Sequence, residues 1–557
     1  MKKIWLKHYL DGMSAEINPE QYPSLLELLE EKFTQYSDRI AYSCLGTDID
    51  YKTVEHKSTQ FAAWLQSHYS KGDRIAVMMP NLLQYPIALF GILKAGLIVV
   101  NVNPLYTARE LEHQLVDAKA SAIVVLENFA HTVEEVLDKT EVKTVIISKI
   151  GDLLSFPSSI IDNFVVEHVK KLVPAFHLPK AIVFNETINH KQEYVKPTLN
   201  GEDIAFLQYT GGTTGVAKGA ILTHRNMIAN ILQALEFVKC CQKIGADERH
   251  IAITALPLYH IFSLLANCLT FTCVGAQNVL ITNPRDIKAF VKELGKYQFT
   301  FISGVNTLFN ALLNAPDFHN LDFSKLSLSL GGGMAIQTST AKRWHEVTGS
   351  VLLEAYGLTE TSPAVCIDPT NLKEFNGSIG IPVPSTEISI RDSEENELAL
   401  EEIGELWVRG PQVMRGYWNK LDETAKVLTE ESWLKTGDIA KVDNDGFVYI
   451  VDRKKDLILV SGFNVYPNEV EEVLTSHPEI FEAACVGVPS EKTGEAVKAF
   501  VVLTQNSKLT EKEILAFSAE SLTGYKLPSM VTIVEDLPKN NVGKILRREL
   551  RENALYN

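Results

Sequence analysis

A hydrophobic run leads directly into a glycine- and threonine-rich loop in the stretch Ile204-Ala205-Phe206-Leu207-Gln208-Tyr209-Thr210-Gly211-Gly212-Thr213-Thr214-Gly215-Val216-Ala217-Lys218-Gly219-Ala220. The hydrophobic run predicts a buried strand. Glycines let the backbone curl so that its N–H groups point at phosphate oxygens, and the threonine hydroxyls add further donors. Lys218 supplies a mobile positive charge. The stretch therefore predicts a phosphate-binding loop at the end of a strand.

This loop differs from the two commonest nucleotide-binding loops. A Walker A loop ends in Gly-Lys-Ser/Thr, whereas here Ala217 precedes Lys218 and Gly219 follows it. The glycine spacing also departs from the Gly-x-Gly-x-x-Gly pattern of dinucleotide-binding folds. The alternative is a glycine-rich surface turn, which accounts poorly for three threonines, three close glycines and a lysine in one loop.

Strand-like and helix-like runs alternate on the N-terminal side of the loop. Residues 74–79 predict a strand, residues 82–95 a helix and residues 97–102 the next strand. Repeated strand–helix–strand units form parallel sheets that are covered on both faces. We therefore predict an α/β fold.

The character of the sequence changes at the charged run Asp452-Arg453-Lys454-Lys455-Asp456. The residues that follow mix charges with short strands and helices, and about 100 residues suffice for a compact domain. We predict a large N-terminal domain of parallel or mixed α/β sheets over residues 1–451. A small α+β domain over residues 452–557 follows it.

Composition restricts the class of protein. Hydrophobic residues make up 46% of the 557 residues and charged residues 22%, as in ordinary globular proteins. The net charge of −16 argues against a nucleic-acid partner, since binding phosphate backbones needs basic surface. The seven cysteines form no Cys-x-x-Cys pair, which favours free thiols in a reducing cytoplasm.

Two segments raise the question of membrane contact. Residues 251–284 carry no acidic or basic side chain except His260, but Pro257 and several polar residues interrupt them, which favours buried core over a transmembrane helix. Between residues 160 and 173 the apolar residues fall mostly on one helical face. That face either touches a membrane and admits a lipid or packs against the core, and we favour the core because such helices are common.

Three further clusters carry chemical groups. Gly331-Gly332-Gly333-Met334 precedes Tyr356, Thr359 and Glu360, a set that could stack a base, bond a phosphate and hold Mg²⁺. Asp438 and Arg453 could grip two ribose hydroxyls, although a turn residue and a solvated charge remain alternatives. Lys544 follows Gly543 and could reach into another domain's site, but on local grounds the start of a solvated basic helix is favoured.

Taken together and in this order, the clusters resemble the acyl-adenylate-forming superfamily of acyl-CoA synthetases, luciferases and peptide-synthetase adenylation domains. The resemblance runs from about residue 22 to residue 550 and includes residues 433–455 and 461–471. Within that superfamily the chain resembles bacterial long-chain fatty acid–CoA ligases, through residues 81–86, 101–106, 282–286 and 304–312. It implies that ATP, a long-chain fatty acid and CoA give acyl-CoA, AMP and pyrophosphate through an acyl-adenylate, the first step of fatty-acid degradation.

The resemblance also implies roles for the residues already described. Thr210, Thr213, Thr214 and Lys218 would hold the β- and γ-phosphates, within a nucleotide-binding loop that runs from Tyr209 to Ala220. Gly331, Gly332, Gly333, Met334 and Tyr356 would bracket the adenine, Thr359 would bond the α-phosphate, Glu360 would anchor Mg²⁺, and Asp438 and Arg453 would bind the ribose. Lys544 would bridge the fatty carboxylate and the α-phosphate, with His260 beside the acyl carboxylate.

In such enzymes the small domain rotates between two half-reactions. Asp452 would be the hinge, and Ser461, Gly462 and Phe463 would line the path of CoA. The resemblance further implies a small β-rich subdomain in the large domain, a homodimer, and a cytoplasmic protein associated peripherally with the inner membrane.

Two departures and two rival functions remain. Glu431-Ser432-Trp433 stands where relatives often have Asp-Gly-Trp, and Ala355 where many have Gly. The nearest rival is another acyl-activating enzyme, such as an aryl–CoA ligase or a peptide-synthetase adenylation domain. A catalytically idle lipid-binding protein is the rival from another class, and the presence together of Lys218, Glu360, Asp438 and Lys544 argues against it.

Overall fold

The structure is a computed structural model and describes residues 2–210, 217–241, 249–490, 492–540 and 543–556. The strands are β1 Ile40–Cys44, β2 Thr47–Asp50, β3 Arg74–Met78, β4 Ile98–Asn101, β5 Ala122–Leu126, β6 Thr144–Ser148, β7 Ile182–Val183, β8 Ile204–Thr210, β9 Lys218–Thr223, β10 Ile251–Thr254, β11 Gln277–Leu280, β12 Phe301–Gly304, β13 Leu328–Gly332, β14 Leu352–Gly357, β15 Ala364–Ile367, β16 Ile381–Pro382, β17 Glu387–Arg391, β18 Gly404–Arg409, β19 Leu434–Val442, β20 Val448–Arg453, β21 Ile458–Val460, β22 Phe463–Val465, β23 Ile480–Ser490, β24 Gly494–Leu503 and β25 Met530–Ile533.

The α-helices are α1 Leu25–Gln35, α2 Tyr51–Gln66, α3 Gln84–Lys94, α4 Ala108–Ala118, α5 Ala130–Val136, α6 Ser158–Phe164, α7 Phe184–Thr187, α8 His224–Lys239, α9 Ile261–Ser263, α10 Phe271–Cys273, α11 Ile287–Leu294, α12 Asn306–Leu313, α13 Thr338–Thr348, α14 Leu421–Val427, α15 Pro467–Thr475, α16 Glu511–Ala519 and α17 Arg547–Tyr556. Turns of 3₁₀-helix cover Ile4–His8, Pro19–Gln21, Glu127–Phe129, Leu137–Lys139, Pro316–Asn320, Thr359–Thr361 and Gly524–Lys526, and π-helical turns cover Val165–Val169 and Leu264–Thr270.

Two large sheets form the N-terminal part of the chain. One has the strand order β7-β6-β5-β3-β4-β8-β9 and is parallel except for the β8–β9 hairpin. The other has the order β16-β15-β14-β13-β12-β10-β11-β1-β2, with its central strands parallel. All five residues of β5 are buried, as expected where helices cover both faces. The predicted α/β class is confirmed.

The remaining sheets lie later in the chain. Strands β17 to β20 form a four-stranded antiparallel sheet, the small β-rich unit that the family resemblance implies. The last sheet has the order β22-β21-β24-β23, with β25 parallel to β24. Its two faces contribute to separate hydrophobic clusters drawn from residues 458–554, so the C-terminal region has a core of its own.

The uncharged segment 251–284 is buried core, as predicted. Strand β10, helices α9 and α10 with the π-helical turn between them, and strand β11 occupy it, and Leu264, Leu269 and Phe271 are at most 1% exposed. Within the described ranges, no helix is long and apolar enough to cross a membrane.

The helical segment near residue 160 corrects the favoured interpretation. Helix α6 and the π-helical turn after it bury Val166, but Ile160 is 63% exposed, Phe164 56% and Val169 65%. The prediction that this face packs against the core is therefore wrong. The amphipathic pattern identified an apolar face without indicating what the face meets.

Candidate active site

The predicted phosphate loop joins β8 to β9 at the edge of the seven-stranded sheet. Thr210 and Lys218 are paired across this antiparallel hairpin, and the residues between them that we expect to bind phosphate, Gly211, Gly212, Thr213, Thr214, Gly215 and Val216, lie outside the described residues. Ala217 precedes β9, and its carbonyl oxygen lies 3.0 Å from His113 Nε2.

Close packing fixes the base of this hairpin. The Tyr209 hydroxyl donates to Asp117 Oδ2 at 2.8 Å, and the ring lies so near Gly219 that an added Cβ would stand 3.0 Å from it. Ala220 is buried and pairs with Tyr417, which comes from a distant part of the chain. Tyr209, Gly219 and Ala220 thus fix the two strands of the hairpin where the loop leaves and re-enters the sheet.

A segment around Tyr417 completes the surroundings of Lys218. The backbone N–H of Trp418 donates to the Gly219 carbonyl at 2.8 Å, which extends the sheet beyond β9. Lys218 Nζ lies 5.1 Å from the centroid of the Tyr417 ring and forms an ion pair with Glu423. Sequence reasoning missed Tyr417 and Glu423, because their position depends on this long-range pairing.

Glu360 lies on a tight turn that faces the same segment. Thr359 and Glu360 occupy a 3₁₀ turn, and the Glu360 carbonyl accepts the Met414 N–H at 2.7 Å. Glu360 Oε1 accepts the Tyr417 hydroxyl at 2.6 Å. Gly357 lets the turn close, because an added Cβ would stand 2.0 Å from the Pro363 carbonyl oxygen.

The glycines at 331–333 lie at the end of β13, beside β14. Gly331 is opposite Glu354 and Gly332 is opposite Ala355 in the parallel pair. A Cβ on Gly332 would stand 2.8 Å from the Ala355 carbonyl oxygen, and Gly333 has a φ of +76°, which favours glycine. Met334 follows half-buried against the adjacent core cluster. The expected adenine segment and Tyr356 therefore lie at the carboxyl ends of adjacent parallel strands, where open α/β sheets bind ligands.

Tyr356, Asp438 and Arg453 are in direct contact. The Tyr356 hydroxyl donates to Asp438 Oδ2 at 2.6 Å, and Arg453 Nε lies 3.3 Å from Asp438 Oδ1. Asp438 is opposite Arg453 in the β19–β20 pair. Burial, and then the negative charge of Asp438, raises the pKa of Tyr356 well above its ordinary value, so the phenol remains a hydrogen-bond donor.

Lys544 is brought to this group by a loop of the C-terminal region. Lys544 N–H donates to Asn540 Oδ1 at 2.8 Å, and Thr307 Oγ1 donates to the Gly543 carbonyl at 3.5 Å. Burial, followed by the positive charge of Arg453, lowers the pKa of Lys544 to about 7, and the Asp438 carboxylate opposes that fall. The alternative of an exposed basic helix face is wrong for Lys544, which precedes α17 and is half-buried.

His260 lies close enough to Lys544 for their charges to interact. Burial, and then the Lys544 ammonium, lowers the pKa of His260 to about 4, so the imidazole is neutral near neutral pH. His260 Nδ1 accepts the Phe262 N–H at 3.4 Å, which fixes the ring at the start of α9.

Asp452 connects the four-stranded sheet to the C-terminal region. Its buried carboxylate accepts the N–H of Asn468 at 2.9 Å, at the start of α15. Burial raises the pKa of Asp452 to about 6, against the lowering effect of Arg547. Arg547 bonds both Asn468 Oδ1, at 2.8 Å, and the carboxylate of Glu471. The residue expected to be the hinge is thus held by the small domain.

The segment expected to face CoA lies apart from these residues. Ser461 and Gly462, with φ values of 53° and 84°, form the two-residue turn between β21 and β22. Phe463 is 57% exposed and stacks on Tyr525 with ring centroids 4.9 Å apart. Lys544 lies beside Asp438 and Arg453, whereas this turn contacts residues of its own region, such as Thr493.

The fold and the residues that it brings together define a nucleotide-binding α/β enzyme with a separate C-terminal region that supplies a lysine. The family model for AMP-binding enzymes matches residues 29–418, and the model for the AMP-binding enzyme C-terminal domain matches residues 469–544. The chain belongs to the AMP-binding enzyme family.

Relatives of known function match the whole chain. It is 56% identical to the long-chain-fatty-acid–CoA ligase of Salmonella typhimurium over 100% of this chain and 99% of the relative. The ligases of the same name from Haemophilus influenzae and Bacillus subtilis are 52% and 38% identical, with the same coverage.

Solved structures share the fold. ATP-bound MatB from Rhodopseudomonas palustris superposes with a TM-score of 0.82 at 25% identity, covering 96% of this chain and all of that one. The anthranilate CoA ligase AuaEII in complex with anthranoyl-AMP has a TM-score of 0.84 at 24% identity, covering 97% of this chain and 99% of that chain, a likeness of fold alone.

Proposed function

We propose that the chain is a long-chain fatty acid–CoA ligase. ATP and a long-chain fatty acid form an acyl-adenylate and pyrophosphate, and CoA then displaces AMP to give acyl-CoA, the first step of fatty-acid degradation. The observation that carries the proposal is the full-length identity of 56% with a ligase of that name. The contacts among Tyr356, Asp438 and Arg453, with Lys544 beside them, support it.

In the first half-reaction a carboxylate oxygen bonds to the α-phosphorus while the bond to pyrophosphate breaks. Carboxylate and triphosphate repel each other, and the Lys544 ammonium offsets that repulsion in the transition state. Lys218 stabilises the charge of the departing pyrophosphate. Asp438 and Arg453 bind the ribose, Thr359 bonds the α-phosphate, and the neutral His260 adds no charge beside the acyl carboxylate.

Magnesium is proposed as the cofactor, bound through Glu360. In the described ranges no group of three or more His, Cys, Asp and Glu side chains could hold a metal, and Glu360 offers a single carboxylate whose Oε1 is oriented by Tyr417. This donor set fits Mg²⁺, which is commonly bound by one or two carboxylates together with substrate phosphates. The bound ion would neutralise phosphate charge.

The second half-reaction needs a different placement of the small domain. We take residues 1–451 and 452–557 as the two domains, with Asp452 as the hinge. Rotation would withdraw Lys544 and bring Ser461, Gly462 and Phe463 to the path of CoA, so that one site serves two reactions in turn. A homodimer is proposed on the family resemblance alone.

Peripheral contact with the inner membrane face is also part of the proposal. The large apolar side chains exposed on and beside one helical segment are Phe156, Ile160, Ile161, Phe164, Val169 and Leu172. Lys170 and Lys171 are exposed next to them. An exposed apolar face with adjacent lysines suits the surface of an anionic bilayer, where the protein would collect its substrate.

Pyrophosphate exchange into ATP tests the function directly. We expect exchange to respond to palmitate or oleate far more than to acetate or coumarate, and CoA-dependent product to follow the same order across fatty acids of graded length. A preference for aromatic acids would contradict the proposal and favour an aryl–CoA ligase. Exchange with no CoA-dependent product would favour an adenylation domain that serves a carrier protein.

A further inference from the structure

The side chain of Lys218, which we expect to bind phosphate, already has an anionic partner. Its ammonium forms an ion pair with Glu423 Oε2 while lying over the Tyr417 ring. Both charged side chains are about one-third exposed, 32% for Lys218 and 31% for Glu423. Screening by water and salt is weaker at such a half-buried site than on open surface.

Glu423 has a second cationic partner on the same short helix. Its Oε1 atom forms an ion pair with Lys426, which is 67% exposed. Hydrogen bonds from the two lysines lower the pKa of Glu423 to about 2. The bond from Lys218 has the largest effect and the bond from Lys426 the next largest. Glu423 is therefore ionised at any pH near neutral, with one carboxylate oxygen toward each lysine.

We propose that Glu423 is an internal counter-ion that competes with the phosphates of ATP for Lys218. A polyphosphate that reaches Lys218 meets the negative charge of Glu423 at the same ammonium, and like charges so placed repel. Lys426 retains Glu423 when the phosphates take Lys218, so the carboxylate is never left without a cation. Once pyrophosphate leaves, Glu423 pairs with Lys218 again.

This arrangement predicts opposite effects at two neighbouring positions. Neutralising Glu423 removes a competitor for Lys218 and should strengthen phosphate binding. Neutralising Lys426 leaves Lys218 as the sole partner of Glu423 in this cluster, so phosphate binding should become weaker. If Glu423 instead only oriented Lys218 toward the nucleotide, its loss would weaken binding. The sign of the Glu423 effect therefore separates competition from orientation.

The inference rests on the proposed ATP-dependent function and is tested by direct binding in the full-length protein. Isothermal titration with ATP and with pyrophosphate, without fatty acid, should give a Kd about threefold to fivefold lower for Glu423→Gln, the scale of one partly exposed ion pair. Lys426→Gln should raise the Kd by roughly twofold to threefold at low salt. The double variant Glu423→Gln/Lys426→Gln should match Glu423→Gln alone, since Lys426 acts through Glu423.

Two controls make the result specific. Glu293→Gln removes the same charge from another pair three residues apart, Glu293–Lys296, and should leave the Kd unchanged. Thermal unfolding verifies that each variant is folded. Weaker binding by Glu423→Gln would overturn the proposal, as would an effect of Lys426→Gln that persists undiminished in the double variant. A wild-type protein that binds neither ATP nor pyrophosphate would overturn the proposed function itself.

Discussion

The hydroxyl of Tyr417 donates a hydrogen bond of 2.6 Å to Glu360 Oε1, while the face of its ring lies 5.1 Å from Lys218 Nζ. One buried side chain thus connects the carboxylate proposed to hold Mg²⁺ with the lysine proposed to hold phosphate. Burial, and then the charge of Glu360, raises the pKa of Tyr417 above its ordinary value, so the hydroxyl keeps its proton and remains a donor.

Tyr417→Phe removes this hydrogen bond and keeps the ring beneath Lys218. A hydrogen bond to a charged group contributes about 1.5 kcal/mol, so the Mg²⁺ concentration for half-maximal activity should rise roughly tenfold. Activity should return at saturating Mg²⁺. Tyr22→Phe, which removes a hydroxyl bonded to Glu31, is the matched control. An unchanged Mg²⁺ response in Tyr417→Phe would show that the bond does not orient the carboxylate.

Lys544→Ala separates the two half-reactions. Adenylation needs the ammonium to offset repulsion between carboxylate and phosphate, so pyrophosphate exchange should be lost. Thioester formation from supplied acyl-AMP should persist, because the proposed rotation withdraws Lys544 before CoA attacks. Equal loss of both steps would refute this division of labour.

The lowered pKa of Lys544 predicts how adenylation depends on pH. Burial and the charge of Arg453 bring that pKa to about 7 in the free protein, and the lysine is charged below it and neutral above it. The kcat/KM for fatty acid should therefore be level below this pH and fall about tenfold per unit above it. Bound anionic substrates favour the ammonium, so the corresponding limb in kcat should lie at higher pH.

Two lysine-to-arginine variants check the assignment. Lys544→Arg should lose the alkaline limb in kcat/KM, since a guanidinium stays charged throughout. Lys512→Arg, an exposed position on α16, should keep the wild-type profile. A limb that survives in Lys544→Arg would assign the titration to another group.

Docking of the Lys544 loop depends on a glycine. Gly543 has a φ of +83°, and a Cβ there would stand 2.6 Å from Thr307 Oγ1, so Gly543→Ala meets both strain and collision. The strain should add about 1–3 kcal/mol to the barrier for adenylation, and the rate of pyrophosphate exchange should fall at least accordingly. Thioester formation from acyl-AMP should change little. Gly524→Ala, in the same domain with open space around it, is the control. Equal loss in both half-reactions would place the damage in the fold of the domain.

Local sequence patterns predicted the α/β class and the strand that leads into the loop, since both follow from neighbouring residues such as the apolar run 204–209. Local patterns left the roles of Asp438, Arg453 and Lys544 open, and those roles come from the family resemblance and stay predictions. Lys218, Glu423 and Tyr417 are close only because residues 415–418 pair with β9. No periodic pattern in the sequence predicts such a long-range pairing. The pattern near Ile160 likewise gave an apolar face but not its surroundings.

The exposed face near Ile160 leads to a prediction about membranes. Ile160 and Val169 are 63% and 65% exposed, and burying each in a lipid interface is worth about 1 kcal/mol. Ile160→Gln/Val169→Gln should therefore bind vesicles of phosphatidylglycerol and phosphatidylcholine at least about tenfold more weakly in sedimentation assays. Lys170→Gln/Lys171→Gln should weaken vesicle binding more at low salt than at high salt, because salt screens the attraction between lysine and anionic lipid.

The matched control replaces two exposed apolar residues elsewhere, Leu45→Gln/Ile403→Gln, at 45% and 47% exposure. It should bind vesicles like the wild type, and all three variants should keep their activity on a short, freely soluble fatty acid. Equal losses in the control and in Ile160→Gln/Val169→Gln would mean that general surface hydrophobicity drives binding. Wild-type protein that stays in the supernatant with anionic vesicles would refute membrane contact through this face.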